Sequence, residues 1–129
     1  MKILCASSVL FGPECFGAAG DMRVLPDREI GPGTIGDAEA LVIRSKTPVG
    51  RDLLRAAPAL TFVGTATAGF DHLDRAALEE AGIAWTAAPG CNAEGVAEWV
   101  TAALLDELSA DPDRRADGTI GIVGVGQVG

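Results

Sequence analysis

Residues 60–86 read LTFVGTATAGFDHLDRAALEEAGIAWT. An apolar run, Leu60–Thr65, leads into a loop of small residues. A helical pattern follows over Asp74–Ala81, and Gly82 stops it, because glycine accepts the left-handed backbone that ends helices. A second apolar run, Ile83–Thr86, begins at once. Strand, helix and strand in such short order make a βαβ unit. Its two strands run parallel, since the helix carries the chain back to the starting edge.

The same alternation extends outward on both sides. Lys2–Ala6 (KILCA), Met22–Leu25 and Ala40–Arg44 (ALVIR) read as strands, the second closed by Pro26, which has no N–H for a ladder. Between them a helix is expected from Pro13, whose fixed φ suits a first turn, and another over Arg51–Ala56. Gly31–Gly36 (GPGTIG) is loop. The strands carry Val, Ile and Leu on both faces, as strands do when helices cover the sheet above and below. The fold class expected is therefore α/β, an open parallel sheet of flavodoxin-like type.

The longest helix is expected over Ala93–Leu108, with Asn92 as its cap and Glu94 and Glu98 toward the positive end of its dipole. Val96, Trp99, Val100, Ala103, Leu104 and Leu108 recur at helical spacing, and Trp99 is expected in the core. A charged run, Ser109–Asp117, follows, and Thr119–Val123 (TIGIV) reads as a last strand. The organisation expected is a first domain over 1–110 that includes the helix at 93–108, a linker at 111–117, and the start of a second domain at 118–129. Residues beyond about Ala110 are expected to be mobile.

Composition excludes several classes of function. The 129 residues are one domain's worth of chain, and 48% of them are hydrophobic, enough for a core. Eighteen acidic against ten basic residues leave a net charge of −8, which disfavours nucleic acid and an anionic membrane surface. No stretch approaches the ~18 apolar residues of a membrane span. The start, Met1–Leu4, is too short an apolar run for a signal peptide. Cys5, Cys15 and Cys91 are odd in number and widely spaced, with no C-x-x-C, so neither a metal site nor a disulfide framework is expected. A reducing, cytoplasmic setting is the expectation.

The last six residues, Gly124-Val125-Gly126-Gln127-Val128-Gly129, are G-x-G-x-x-G after a strand-like run. In a dinucleotide fold Gly124 makes the tight turn, Gly126 lets the backbone approach a pyrophosphate, and Gly129 lets the next helix pack close to the sheet. The other reading is a glycine-rich tail without a role. No helix follows Gly129 in this sequence, nor an acidic residue to bind a ribose, so the chain reads as one cut within a domain.

Three further segments join this motif: Arg44-Ser45-Lys46-Thr47, then Phe62-Val63-Gly64-Thr65-Ala66-Thr67-Ala68-Gly69-Phe70-Asp71-His72-Leu73-Asp74, then Ala87-Ala88-Pro89-Gly90-Cys91-Asn92-Ala93. With Gly121–Gly126 the set resembles the erythronate-4-phosphate dehydrogenase family, a branch of the D-isomer-specific 2-hydroxyacid dehydrogenases. The resemblance covers the whole chain and identifies it with the N-terminal part of such an enzyme. It implies NAD as cofactor, a small phosphorylated hydroxy acid (4-phospho-D-erythronate) as substrate, a role in making pyridoxal phosphate, and a cytoplasmic homodimer. It implies a substrate domain followed by a nucleotide domain. By matching position Ser45 and Thr67 are implied as substrate contacts, and Gln127 and Val128 as NAD contacts beside the glycines. The family's catalytic Arg, Glu and His fall beyond position 129, so this chain has no catalytic residue and no turnover alone is expected. The family usually has an acidic pair after the first strand, where this chain has Ala6-Ser7-Ser8.

The residues themselves agree in kind. Ser45 follows the third strand and Thr67 the fourth, and open parallel sheets bind ligands outside the carboxyl ends of their strands. Two hydroxyls there can donate to a phosphate or carboxylate. Gly64 and Gly69 allow a loop whose N–H groups turn toward an anion, and Arg44 adds a fork of donors. Ser and Thr after strands also serve simply as turn formers. His72, the sole histidine, lies between Asp71 and Asp74 and is read as a loop residue at a helix start. Cys91 is read as structural. Two other readings stay open: a stand-alone small-anion-binding module, and a remnant without function.

Overall fold

The computed structural model describes residues 1–110, 119, 121–124 and 126. Five strands run β1 Lys2–Ala6, β2 Asp21–Leu25, β3 Ala40–Ile43, β4 Phe62–Thr65 and β5 Ala84–Thr86. They form one sheet in the order β2-β1-β3-β4-β5, and every pairing is parallel. Helices α1 Gly12–Phe16, α2 Arg51–Arg55 and α3 Arg75–Glu80 connect them, and α4 Ala93–Ala110 follows. This is the flavodoxin-like order. The chain leaves β1 for β2 on one side and returns past it to β3 on the other. The loops after β1 and β3 therefore part company, and the crevice between them is where such sheets take ligands.

The sheet forms because its central strands are apolar on both faces. All four residues of β3 are buried, as are four of the five in β1. Leu4, Leu41, Ile43, Val63 and Leu78 lose essentially all exposure. β2 lies at the edge, and its Asp21 and Arg23 face solvent. Asp74 caps α3 by accepting a hydrogen bond from the Ala77 N–H at 3.0 Å. Gly82 ends that helical segment at φ 66°, the left-handed conformation a side chain would strain. Arg51 of α2 makes a two-pronged bond to Glu80 of α3, at 2.5 and 3.0 Å. Gly12 opens α1 hard against β1: a Cβ there would lie 2.7 Å from the Cys5 sulfur.

Boundaries differ from the sequence reading where side-chain pattern and backbone pairing diverge. β4 begins at Phe62, because the N–H groups of Thr61 and Phe62 both turn to the Glu39 carbonyl. β3 ends at Ile43, because the Arg44 carbonyl is taken by the Thr47 N–H in a turn.

The chain divides into two compact units, Met1–Ala88 and Pro89–Gly129. In the second, α4 has no buried residue, and Trp99 is 71% exposed, which overturns its expected place in the core. Helical spacing lines up an apolar stripe but cannot say whether a surface covers it. Thr119 and Gly121–Val123 are exposed and not in a strand, contrary to expectation. A strand needs a neighbour for its N–H and C=O groups, and the described residues of this unit offer none. The linker at 111–117 and its expected mobility lie outside the described residues. Among the described residues no helix is long and apolar enough to cross a membrane.

Candidate functional site

The site is built on the carboxyl ends of β1, β3 and β4. Ile43 and Thr65 pair across β3 and β4. Ser45 and Thr67 each stand two residues further along, so the register delivers both hydroxyls to the same end of the sheet. The Ala66 N–H donates to the Ile43 carbonyl at 2.8 Å and keeps the two loops together as they leave the sheet. Further out they join again. The Val49 N–H donates to the His72 carbonyl and the Asp74 N–H to the Val49 carbonyl, both at 2.8 Å.

The loop after β3 carries Arg44, Ser45 and Lys46 in the open. Thr47 behind them is fully buried, its hydroxyl donating to the Asp27 carbonyl at 3.3 Å. Thr47 is thus the residue that fixes this loop, and it leaves Ser45 at the surface with no hydrogen bond from its side chain among the described residues. The Arg44 guanidinium reaches the Ser8 carbonyl at 3.4 Å. Ser8 in turn donates to the Asp27 carboxylate at 2.6 Å. A depression of about 440 Å³ lies here, lined by Ser7, Pro26, Asp27, Arg28 and Lys46. None of Arg28, Arg44 and Lys46 makes an ion pair among the described residues, whereas Lys2, Arg51 and Arg55 all do. Three cations without an ion pair among the described residues, against the one acid, Asp27, that lines the depression, favour an anion here.

The loop after β4 is held by hydroxyls. Thr65 is 3% exposed, and its Oγ1 lies 2.7 Å from Thr67 Oγ1 and 2.9 Å from His72 Nε2. The Thr67 hydroxyl donates to the Gly69 carbonyl at 2.7 Å. The Thr67 carbonyl accepts from the Ala88 N–H at 2.9 Å. Phe70 leans on Trp85, ring centroids 5.4 Å apart, and the Arg75 guanidinium sits over the Phe70 ring, 5.2 Å from its centroid. Burial pulls the His72 imidazole below its ordinary pKa, against the weaker pull of Asp71 upward. His72, read from sequence as a loop residue alone, is thus part of the site's hydrogen-bonding. A signal was available: Thr65 and Thr67 at i and i+2 share a face, with the single histidine shortly after.

The nucleotide-loop residues are seen only in part. Gly124 has φ 91°, a conformation suited to glycine and to the tight turn expected of the first glycine of a phosphate loop. Gly126 is exposed in a bend. Gln127, Val128 and Gly129 lie outside the described residues. Cys15 and Cys91 are exposed free thiols, and burial raises the Cys5 thiol above its ordinary pKa.

The D-isomer specific 2-hydroxyacid dehydrogenase catalytic-domain family matches residues 26–111. The chain belongs to the D-isomer-specific 2-hydroxyacid dehydrogenases. It is 48% identical over 129 residues to the erythronate-4-phosphate dehydrogenase of Cronobacter sakazakii, covering all of this chain and 34% of that protein. The chain thus spans about a third of the length of the curated dehydrogenases it matches. Among solved structures, the TT0316 protein from Thermus thermophilus superposes with a TM-score of 0.72 at 22% identity, over 96% of this chain and 43% of that one. An NAD-dependent formate dehydrogenase from Staphylococcus aureus, in complex with NAD, gives 0.67 at 24% identity, over 90% of this chain and 40% of that one. The five-stranded parallel sheet is therefore a fold that this chain shares with these solved structures.

Proposed function

We propose that this chain supplies the substrate domain and the opening of the nucleotide loop of an enzyme that oxidises 4-phospho-D-erythronate to its 2-oxo acid. The observation that carries this reading is that one register pair delivers Ser45 and Thr67 to the end of the sheet where Arg28, Arg44 and Lys46 stand without an ion pair among the described residues. The likeness to erythronate-4-phosphate dehydrogenases over the whole chain supports this choice of substrate. Residues 1–110 form the substrate domain in this reading, 111–117 the linker and 118–129 the start of the NAD-binding domain. The reaction belongs to the making of pyridoxal phosphate in the cytoplasm, by a homodimer.

NAD, if bound, would supply the acceptor for the hydride that leaves C2 of the hydroxy acid. The backbone turn at Gly124 and the open backbone at Gly126 suit a pyrophosphate, and these two, with Gln127, Val128 and Gly129, would hold it. Ser45 donates its unused hydroxyl hydrogen to an oxygen of the substrate. Arg28, Arg44 and Lys46 supply the charge that draws a phosphorylated acid to this end of the sheet. These residues bind and orient, and none of them moves a proton.

Calorimetric titration of the chain with 4-phospho-D-erythronate, D-erythronate and inorganic phosphate tests the reading. The phosphorylated acid is expected to bind, D-erythronate more weakly, and Ser45→Ala to weaken the first about tenfold, the loss of one charge-assisted hydrogen bond. Equal heats from all three ligands, or no effect of Ser45→Ala, would refute it.

A further inference from the structure

The hydrogens of the Thr67 network can be counted. A carbonyl oxygen only accepts, so the Thr67 hydroxyl hydrogen is committed to Gly69. A hydroxyl has one hydrogen, so the 2.7 Å contact between the two threonines must be Thr65 donating to Thr67. That commits the Thr65 hydrogen, and the 2.9 Å contact to the histidine must then be His72 Nε2–H donating to Thr65. Three hydrogens serve three acceptors along one direction, from His72 through Thr65 and Thr67 to Gly69. Thr67 Oγ1 ends with one lone pair free and no hydrogen to give.

We infer that His72 is a positioning residue, which fixes the direction of this chain so that Thr67 meets its ligand as a hydrogen-bond acceptor and selects a hydroxyl of the ligand rather than an anionic oxygen. The inference rests on the reading of this loop as part of the substrate site, and it deepens that reading. Ser45 and Thr67 then divide the work: Ser45 donates and Thr67 accepts. Phosphate and carboxylate oxygens have no hydrogen to offer Thr67, so they belong with Ser45 and the cations. The class of ligand that satisfies both loops is a phosphorylated acid carrying free hydroxyls along its chain. His72 holds its post because its own carbonyl is tied to the Val49 N–H and because Leu73 beside it is buried. The direction survives protonation of the ring, since Nε2 carries its hydrogen in both the imidazolium and this neutral form.

The chain has a single histidine, so its ring nitrogens give one set of signals in a long-range proton–nitrogen correlation spectrum. The expected result at neutral pH, without ligand, is the Nε2–H form, and the Nδ1–H form would overturn the inference. The second readout is selectivity. Analogues of 4-phospho-D-erythronate lacking the C2 or the C3 hydroxyl are compared with the parent by calorimetry. One of the two is expected to lose about tenfold in affinity, the value of one hydrogen bond. Thr67→Val is expected to bind parent and analogue alike. His72→Gln, which keeps an N–H donor, is expected to keep the preference, and His72→Leu to lose it while both variants retain the wild-type circular dichroism. An undiminished preference in Thr67→Val or His72→Leu would overturn the inference. Failure of the parent to bind would refute the substrate-site reading and the selectivity with it. The tautomer would still report on the hydrogen-bond chain by itself.

Discussion

Gly12→Ala is expected to destabilise the protein, and to stabilise it once Cys5 is also changed to alanine. The added Cβ would lie 2.7 Å from the Cys5 sulfur and 3.6 Å from a Val9 methyl. Cys5 is fully buried in β1, so the sulfur cannot swing into solvent. Two such atoms normally stay roughly 3.5–4 Å apart, and relieving the shortfall requires a shift of β1 against α1. Overpacking of this kind costs about 1–3 kcal/mol. Against it, alanine gains about 0.5–1 kcal/mol over glycine in a helix, and Gly12 does not have a positive φ that would forbid it. The net expectation is a loss of about 0.5–2 kcal/mol in the wild-type background. In Cys5→Ala the new methyl enters the space the sulfur left, and the helix gain remains without the clash. The sign therefore reverses, and the coupling in the double-mutant cycle is about 1–3 kcal/mol. Urea unfolding followed by far-ultraviolet circular dichroism measures all four proteins. Fluorescence is the poorer probe, because exposed Trp99 reports alongside Trp85. The same effect of Gly12→Ala in both backgrounds would refute the reasoning.

Three further outcomes follow from the site. Thr65→Val, which keeps the shape but removes the central hydroxyl, is expected to lower stability by about 1–2 kcal/mol. In the same urea series Thr65→Ser is expected to preserve the network, and equal stability of Thr65→Val and wild type would contradict it. The His72 pKa is lowered in the folded protein, so between that value and about 6.5 the unfolded chain binds more protons. Stability then rises with pH up to about 6.5 and falls as pH drops below it. His72→Gln is expected to remove that part of the slope, and an unchanged slope would show that another group sets it. Changing Arg28 and Lys46 together to glutamine is expected to weaken a phosphorylated ligand more than its unphosphorylated counterpart, which keeps only the carboxylate charge. Raising the salt should reduce the difference. Equal losses for both ligands would remove the cations from phosphate recognition.

The sheet was legible because its evidence is local. KILCA, ALVIR and the βαβ unit around LTFVGT each announce a buried strand by composition, and Asp74 and Gly82 mark the two ends of α3. The edges of strands were less so, because Thr61 and Arg44 have strand-like neighbours but give their backbone groups to Glu39 and Thr47. Trp99 failed for a related reason. Its spacing predicts a stripe, whereas its burial depends on a surface that spacing does not describe. Of the candidate site, the placement of Ser45 and Thr67 at one end of the sheet was legible from their positions after strands. His72 was legible only as a histidine shortly after two threonines on one face, because its bond to Thr65 depends on the meeting of Val49 and Leu73, two segments far apart in sequence.

That meeting has a consequence for binding energetics. Flexible loops lose conformational freedom when they close on a ligand, and the loss subtracts from affinity. Here the segment bearing Ser45 and the segment bearing Thr67 are fastened to each other through Val49, His72 and Asp74, beyond the last rung of the sheet. Their freedom is removed when the chain folds, so little is left to lose on association. Binding at this edge should accordingly carry a small entropic penalty, and grafting a flexible insert between Thr47 and Val49 should raise that penalty without touching a single contact residue.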